Sequence, residues 1–156
     1  MKPSRLAAAL GALALALILG ALGFQYIGHL PPCEMCMWQR WPLFGAIGVG
    51  ALAYLIVKRD DAAGEAFAWF AILLVAASGA IGVYQAGAEW HWWQGPAACT
   101  GARAVFHAMS DLNAPGQVRC DLPGFRFLGL SLAGWNALID LSAALAGAAV
   151  LLKRRM

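Results

Sequence analysis

The chain has 156 residues, of which 62% are hydrophobic and 12% charged, where ordinary soluble domains run at roughly 45 to 50% apolar and about 25% charged. That excludes an ordinary water-soluble globule, and a mean hydropathy of +0.66 excludes a disordered chain, which is poor in apolar residues. A formal charge of +3 does not point to nucleic acid, because the 11 basic residues lie at the edges of apolar runs.

Those runs, taken in chain order, cover residues 6–24, 42–57, 66–87 and 127–152. Each is close to the roughly 17 to 25 residues that a helix needs to cross a bilayer core, and the second, the shortest, is expected to begin earlier than its apolar part. Lipid offers no partners to backbone N–H and C=O groups, so the spans must be helical or form a closed barrel. The expected fold is an all-α integral membrane four-helix bundle in a single domain, 1–156, with spans near 6–28, 41–57, 66–87 and 127–152. A cleaved signal peptide is the competing reading of the first run, with Lys2 and Arg5 as its basic flank and Ala21-Leu22-Gly23 as a weak cleavage site. At 19 residues the run exceeds the roughly 7 to 15 of a signal core, which favours a span.

Orientation follows from Lys and Arg. Segments 1–5, 58–65 and 153–156 hold seven basic residues in 17 positions, against four in 56 positions for segments 25–41 and 88–126. Both termini and the middle connection are therefore expected on the cytoplasmic side, with outer loops at about 29–40 and 88–126. Small residues recur at packing spacing in Ala7/Gly11, Ser78/Gly82 and Ala143/Gly147, a pattern that lets membrane helices approach closely. In the second outer loop, Val105, Phe106, Met109 and Leu112 follow helical spacing beside Trp90, Trp92 and Trp93. This predicts a short helix lying at the membrane surface within an aromatic belt.

All four cysteines fall in the outer loops, where an oxidising compartment lets disulfides persist. Four cysteines allow three pairings, and spacing does not choose among them. Cys33-Glu34-Met35-Cys36 is a C-x-x-C set against the start of the second span behind Pro31 and Pro32. Such a motif at a helix N-terminus or beside a cation lowers a thiol pKa, and Arg40 follows Cys36 by four residues, on the same face if the helix has begun. Pro42 leaves that start open between a first helical residue and a kink. Cys99 and Cys120 lie 21 residues apart in a loop bearing Gly95-Pro96 and Pro123-Gly124. A structural zinc site would ask for two close cysteine pairs where only one exists, so no metal site is expected. Two inert disulfides bracing a non-catalytic four-span scaffold form the other competing reading.

The segments Leu30-Pro31-Pro32-Cys33-Glu34-Met35-Cys36-Met37-Trp38-Gln39-Arg40, Gly82-Val83-Tyr84-Gln85-Ala86-Gly87-Ala88-Glu89 and Arg119-Cys120-Asp121, with Phe127-Leu128-Gly129-Leu130-Ser131 and Trp135-Asn136, resemble the disulfide bond formation protein B (DsbB) family. The resemblance implies a protein-dithiol:quinone oxidoreductase of the bacterial inner membrane, with the cysteine loops in the periplasm. It further implies that Cys99 pairs with Cys120 and accepts electrons from a DsbA-like thioredoxin-fold oxidase through a mixed disulfide at Cys99. Cys120 would then attack Cys33, and Cys36, nearest Arg40, would pass electrons to ubiquinone or menaquinone. Arg40 would stabilise both the Cys36 thiolate and the negative charge developing on the quinone.

The sequence departs from the family at Gln85, where similar proteins often carry His. Glu89 and His91 read at least as well as solvated headgroup-level residues as they do as catalytic ones. Asp140, near the middle of the fourth span, is a default functional candidate. Asn136 precedes it by four residues on the same helical face, and a protonated carboxyl hydrogen-bonded inside the bundle is the favoured reading.

Overall fold

The computed structural model describes residues 2–56, 61–97, 99 and 119–156. Among the described residues there are four helices: α1 (Pro3–Tyr26), α2 (Glu34–Ile56), α3 (Asp61–Glu89) and α4 (Leu132–Arg155). A two-residue ribbon, β1 (Arg126–Phe127) paired antiparallel with β2 (Leu130–Ser131), precedes α4. The short helix expected around residues 105–112 lies outside the described residues.

Each boundary has a local cause. Pro3 occupies the first turn of α1, where its missing N–H costs nothing. At the other end, Ile27 and Gly28 both donate to the Gly23 carbonyl, and His29 turns into the left-handed region at φ 52°. Gly28 is required there, because a Cβ would sit 2.6 Å from the Phe24 carbonyl oxygen. α2 does begin earlier than its apolar run: it starts right after Cys33 and holds Pro42 in its interior, so the Trp38 carbonyl loses its helical donor. α4 starts five residues later than its apolar run. Leu128 and Gly129 both take positive φ and turn the ribbon, and Ser131 then caps the helix by accepting from the Gly134 N–H at 3.1 Å.

The bundle is turned inside out relative to a soluble one. Its core is built from small residues such as Ala7, Ala14, Ala46, Ala53, Ala68 and Ala71, with Leu6, Leu10, Leu43 and Ile72 filling between them. Large apolar side chains face outward, with Leu55, Leu73 and Leu145 at 70%, 63% and 72% exposure. A water-soluble monomer does not tolerate so much exposed apolar surface. α1, α3 from Ala62 and α4 to Arg154 are long and apolar enough to cross a membrane. Within the described residues α2 falls short, since Glu34, Gln39 and Arg40 occupy its first two turns.

Helices in lipid gain little from burying apolar surface against each other, so close backbone packing and hydrogen bonds must hold them. Two of the three small-residue pairs do this. A Cβ on Gly11 would lie 3.0 Å from the Ala46 carbonyl oxygen and from Gly50 Cα, and one on Gly82 would lie 3.0 Å from the Ala133 carbonyl oxygen. These contacts clamp α1 on α2 and α3 on α4. Gly147 meets only the side chains of Ile72 and Leu10.

Candidate active site

Cys33 immediately precedes α2 and acts as its cap. The Cys36 backbone N–H, third in the helix, donates to Cys33 Sγ at 3.1 Å, the place an N-cap oxygen takes in an ordinary helix. The two cysteines are joined as a disulfide with Cα atoms 5.0 Å apart. A sulfur here meets the partial positive charge of a helix start, which favours its anionic form.

Cys99 and Cys120 form the second disulfide, with Cα atoms 5.4 Å apart. The Cys120 N–H donates to the Cys99 carbonyl at 2.8 Å. Cys33, Met35, Cys99 and Cys120 are all buried in one cluster, with Cys36 packed against it. Met35, between the C-x-x-C cysteines, is fully buried there. Two sulfur pairs separated by more than sixty residues of chain thus share one packed core. Next to it, Arg119 binds both carboxylate oxygens of Asp121 at 2.9 and 2.5 Å, which raises the guanidinium pKa above its ordinary value.

Arg40 falls on the same face of α2 as Cys36, as i,i+4 spacing requires, because the helix has begun before either of them. Its Nη1 donates to Gln25 Oε1 on α1 at 2.7 Å. Arg40 and Cys36 line a cavity of about 450 Å³ whose other walls include Leu17 and Phe24 from α1, Arg119 from the loop and Ile139 from α4.

Behind the C-x-x-C disulfide runs a chain of amides, Gln39 and Gln85 buried and Asn136 half-buried, that sequence reading did not assemble. Gln85 Nε2 donates towards Cys33 Sγ at 3.3 Å, Cys36 Sγ at 3.5 Å and Glu89 Oε1 at 3.2 Å. Gln39 Nε2 donates to Gln85 Oε1 at 2.6 Å. Asn136 Nδ2 donates to Gln39 Oε1 at 2.9 Å, Ser78 Oγ at 3.1 Å and Asp140 Oδ2 at 3.1 Å. Asp140 is therefore hydrogen-bonded inside the bundle, as expected, though its Oδ1 finds no partner. Of the two readings left open for Glu89, the solvated one does not hold: the residue is 6% exposed. The end of α3 tucks its side chain inward against Gln85, where a sequence pattern shows only the last residue of an apolar run. His91 is exposed. The tryptophans gather at the C-terminal end of α3, where Trp93 stacks on Tyr84 and donates Nε1–H to its carbonyl at 2.8 Å.

The family model for disulfide bond formation protein DsbB matches residues 3–152. A disulfide bond formation protein B from Acidovorax sp. (strain JS42) is 31% identical over 145 residues, covering 86% of this chain and 79% of that protein. One from Alkalilimnicola ehrlichii is 36% identical over 68 residues, covering 29% of this chain and 42% of that protein. One from Escherichia coli O1:K1 / APEC is 49% identical over 43 residues, covering 26% and 24%. The latter two alignments take in less than half of either protein's length. No solved structure matches the chain at a significant level. With a family model running from the first turn of α1 into the last turns of α4, and a relative aligned over most of both chains, the protein belongs to the DsbB family.

Proposed function

We propose that this membrane protein is a protein-dithiol:quinone oxidoreductase. In this reading it reoxidises a DsbA-like thioredoxin-fold oxidase, and so sustains disulfide bond formation, by moving electrons through its two cysteine pairs. The observation that carries the reading is the packing of both disulfides into one buried sulfur cluster beside an apolar-walled cavity. Inert braces have no need to touch each other. A brace across three residues also closes too short a loop to contribute much.

The client thiolate attacks Cys99 Sγ, forming a mixed disulfide, and the broken bond leaves its electron pair on Cys120. Cys120 then attacks Cys33 Sγ, and the electron pair of the Cys33–Cys36 bond stays on Cys36 Sγ. The client's second thiol resolves the mixed disulfide at Cys99, so the client leaves oxidised. Exchange of this kind only relocates a disulfide, and a client as oxidising as DsbA, near −120 mV, needs a better acceptor than another thiol pair. A bound quinone, ubiquinone or menaquinone, supplies that two-electron sink.

The cavity fits such a ring. Its volume of about 450 Å³ falls within the range of roughly 300 to 1,000 Å³ for ligand pockets, which combine apolar walls with a few polar groups. Arg40 and Cys36 both line it. Arg40 is held by Gln25 through one of its five N–H donors. In this position it would orient the ring, stabilise the Cys36 thiolate and meet negative charge as it develops.

We read the whole chain as one four-span unit, with α2 as the remaining span. It lies in the bacterial inner membrane with the sulfur end towards the periplasm and Lys2, Arg5, Lys153, Arg154 and Arg155 towards the cytoplasm. The test mixes purified protein, a reduced thioredoxin-fold client and ubiquinone or menaquinone, and follows quinone absorbance. Client-dependent quinone reduction is expected and should vanish in Cys33→Ser and Cys36→Ser; a wild-type protein that reduces none is a scaffold.

A further inference from the structure

Asp140 sits fully buried at mid-bundle and takes no part in the electron route above, yet it is tied to the redox sulfurs through three amides. Each amide could in principle turn either way, presenting N–H or C=O. The carboxyl groups at the two ends set the direction, since Asp140 Oδ2 accepts from Asn136 and Glu89 Oε1 accepts from Gln85. Asp140 Oδ2 draws Nδ2 of Asn136 towards it, and the same nitrogen donates to Gln39 Oε1. Gln39 must then present Nε2 to Gln85 Oε1, which leaves Gln85 Nε2 facing the sulfurs. Glu89 Oε1 takes one of its hydrogens, and the other is shared between Cys33 Sγ and Cys36 Sγ.

We propose that Asp140, Asn136 and Gln39 are positioning residues. They hold the Gln85 amide with its N–H towards the Cys33–Cys36 pair, so that Gln85 stabilises the thiolate released when that disulfide opens. The proposal rests on the reading of this pair as redox-active. Its chemistry is that of the opening step: an incoming thiolate bonds to Cys33 Sγ, the Cys33–Cys36 bond breaks, and the electron pair remains on Cys36 as an anion. An N–H donor already aimed at that atom favours the anion without reorganising. Among the described charged residues that line the cavity beside the pair are Arg40 from α2, Arg119 from the loop and Glu89 from α3. Of these three Glu89 opposes a thiolate, and the Gln85 amide lies in hydrogen-bond contact with both that carboxyl group and the sulfurs. Ser78 Oγ lies 3.1 Å from the same Asn136 nitrogen and shares one of its two hydrogens.

The experiment equilibrates the intact four-cysteine protein with glutathione buffers and maps each pair by alkylation and mass spectrometry. No client or quinone is needed, so a failed turnover assay would sink the functional reading without touching this result, and the reverse holds too. Gln85→Met, of similar length but without an N–H, should shift the Cys33–Cys36 equilibrium towards the disulfide by about tenfold, about 30 mV for two electrons. Cys99–Cys120 should stay within about twofold. Asn136→Leu and Asp140→Leu should move the same pair in the same direction by several-fold, and Asp140→Asn, which keeps an acceptor oxygen, should restore most of the wild-type value. An unmoved Cys33–Cys36 pair in Gln85→Met, or equal shifts in both pairs, overturns the proposal. A shift in Gln85→Met with none in Asn136→Leu and Asp140→Leu overturns the relay. Should a Leu variant fail to fold, Gln39→Met breaks the same relay at its middle and is read in the same way.

Discussion

The two ends of the bundle use the same four helices for opposite purposes. Towards the termini, Ala7, Gly11, Ala46 and Gly50 bring α1 and α2 into backbone contact, and the surrounding core is alanine, leucine and valine. Towards the cysteines, the interior holds Gln39, Gln85 and Glu89, together with a cavity that the half-buried Asn136 helps to line. An Ala/Gly interface needs no partner beyond van der Waals contact, whereas a buried amide is costly unless its hydrogen bonds are met. The sulfur end therefore holds polar groups where they face the sulfur pair and one another. The division teaches that stability and chemistry have been separated along the helix axis, so substitutions at the two ends should fail in different ways.

The largest effects belong to the sulfur end. Cys120→Ser should reduce turnover to background, because no Cys99–Cys120 bond remains for a reduced client to open; the higher-mass adduct that the wild-type protein gives with a client lacking its second thiol should be absent from a non-reducing gel. Helix content should be unchanged, since the bundle does not depend on that bridge. Arg40→Ala should slow quinone reduction by about tenfold or more, in line with removal of one preorganised donor, but leave mixed-disulfide formation at Cys99 within about twofold. Equal loss of both steps in a rapid-mixing experiment would show that Arg40 serves the fold through Gln25 rather than the chemistry.

At the terminal end the effect should be on stability instead. A Cβ on Gly50 would lie 2.8 Å from the Ala7 carbonyl oxygen and from Gly11 Cα, so Gly50→Val must push α1 off α2. Overpacking of this kind costs about 1 to 3 kcal/mol, read as a lower midpoint of thermal unfolding in detergent. Gly48, two residues away, has nothing within 4 Å of a Cβ, so Gly48→Ala should leave the midpoint unchanged. If the two variants behaved alike, the backbone contact would not be what holds this end together.

The same division explains what the sequence made legible. Features with a local cause could be read directly. These include the apolar runs, the early start of α2, the shared face of Cys36 and Arg40, and the Asn136–Asp140 pair at i,i+4. The features that escaped depend on how a helix is rotated against its neighbours. Gln85 lies 52 positions from Cys33 and reaches it because Gly82, one turn earlier, seats α3 on α4 at Ala133 and Ala137. Glu89 stands at the end of an apolar run, where solvent was the natural reading, and the same rotation turns it inward. The ribbon before α4 escaped for another reason: two-residue strands leave no periodicity, and only Leu128-Gly129 followed by Ser131 marked the turn and cap.

The smallest expected effect is also the one that best separates the ends. An intramembrane carboxylate is expensive to keep, and a proton-conducting role would make Asp140 essential, since an amide does not exchange protons as a carboxyl does. As an orienting acceptor, its role is met by any group that presents an oxygen to Asn136. Asp140→Asn should therefore keep turnover within about threefold of wild type and preserve its pH dependence. A loss approaching that of Cys120→Ser, or a changed pH profile, would make Asp140 part of the chemistry. The sulfur end would then extend its function to mid-bundle, and the boundary between the packed half and the reactive half would have to move with it.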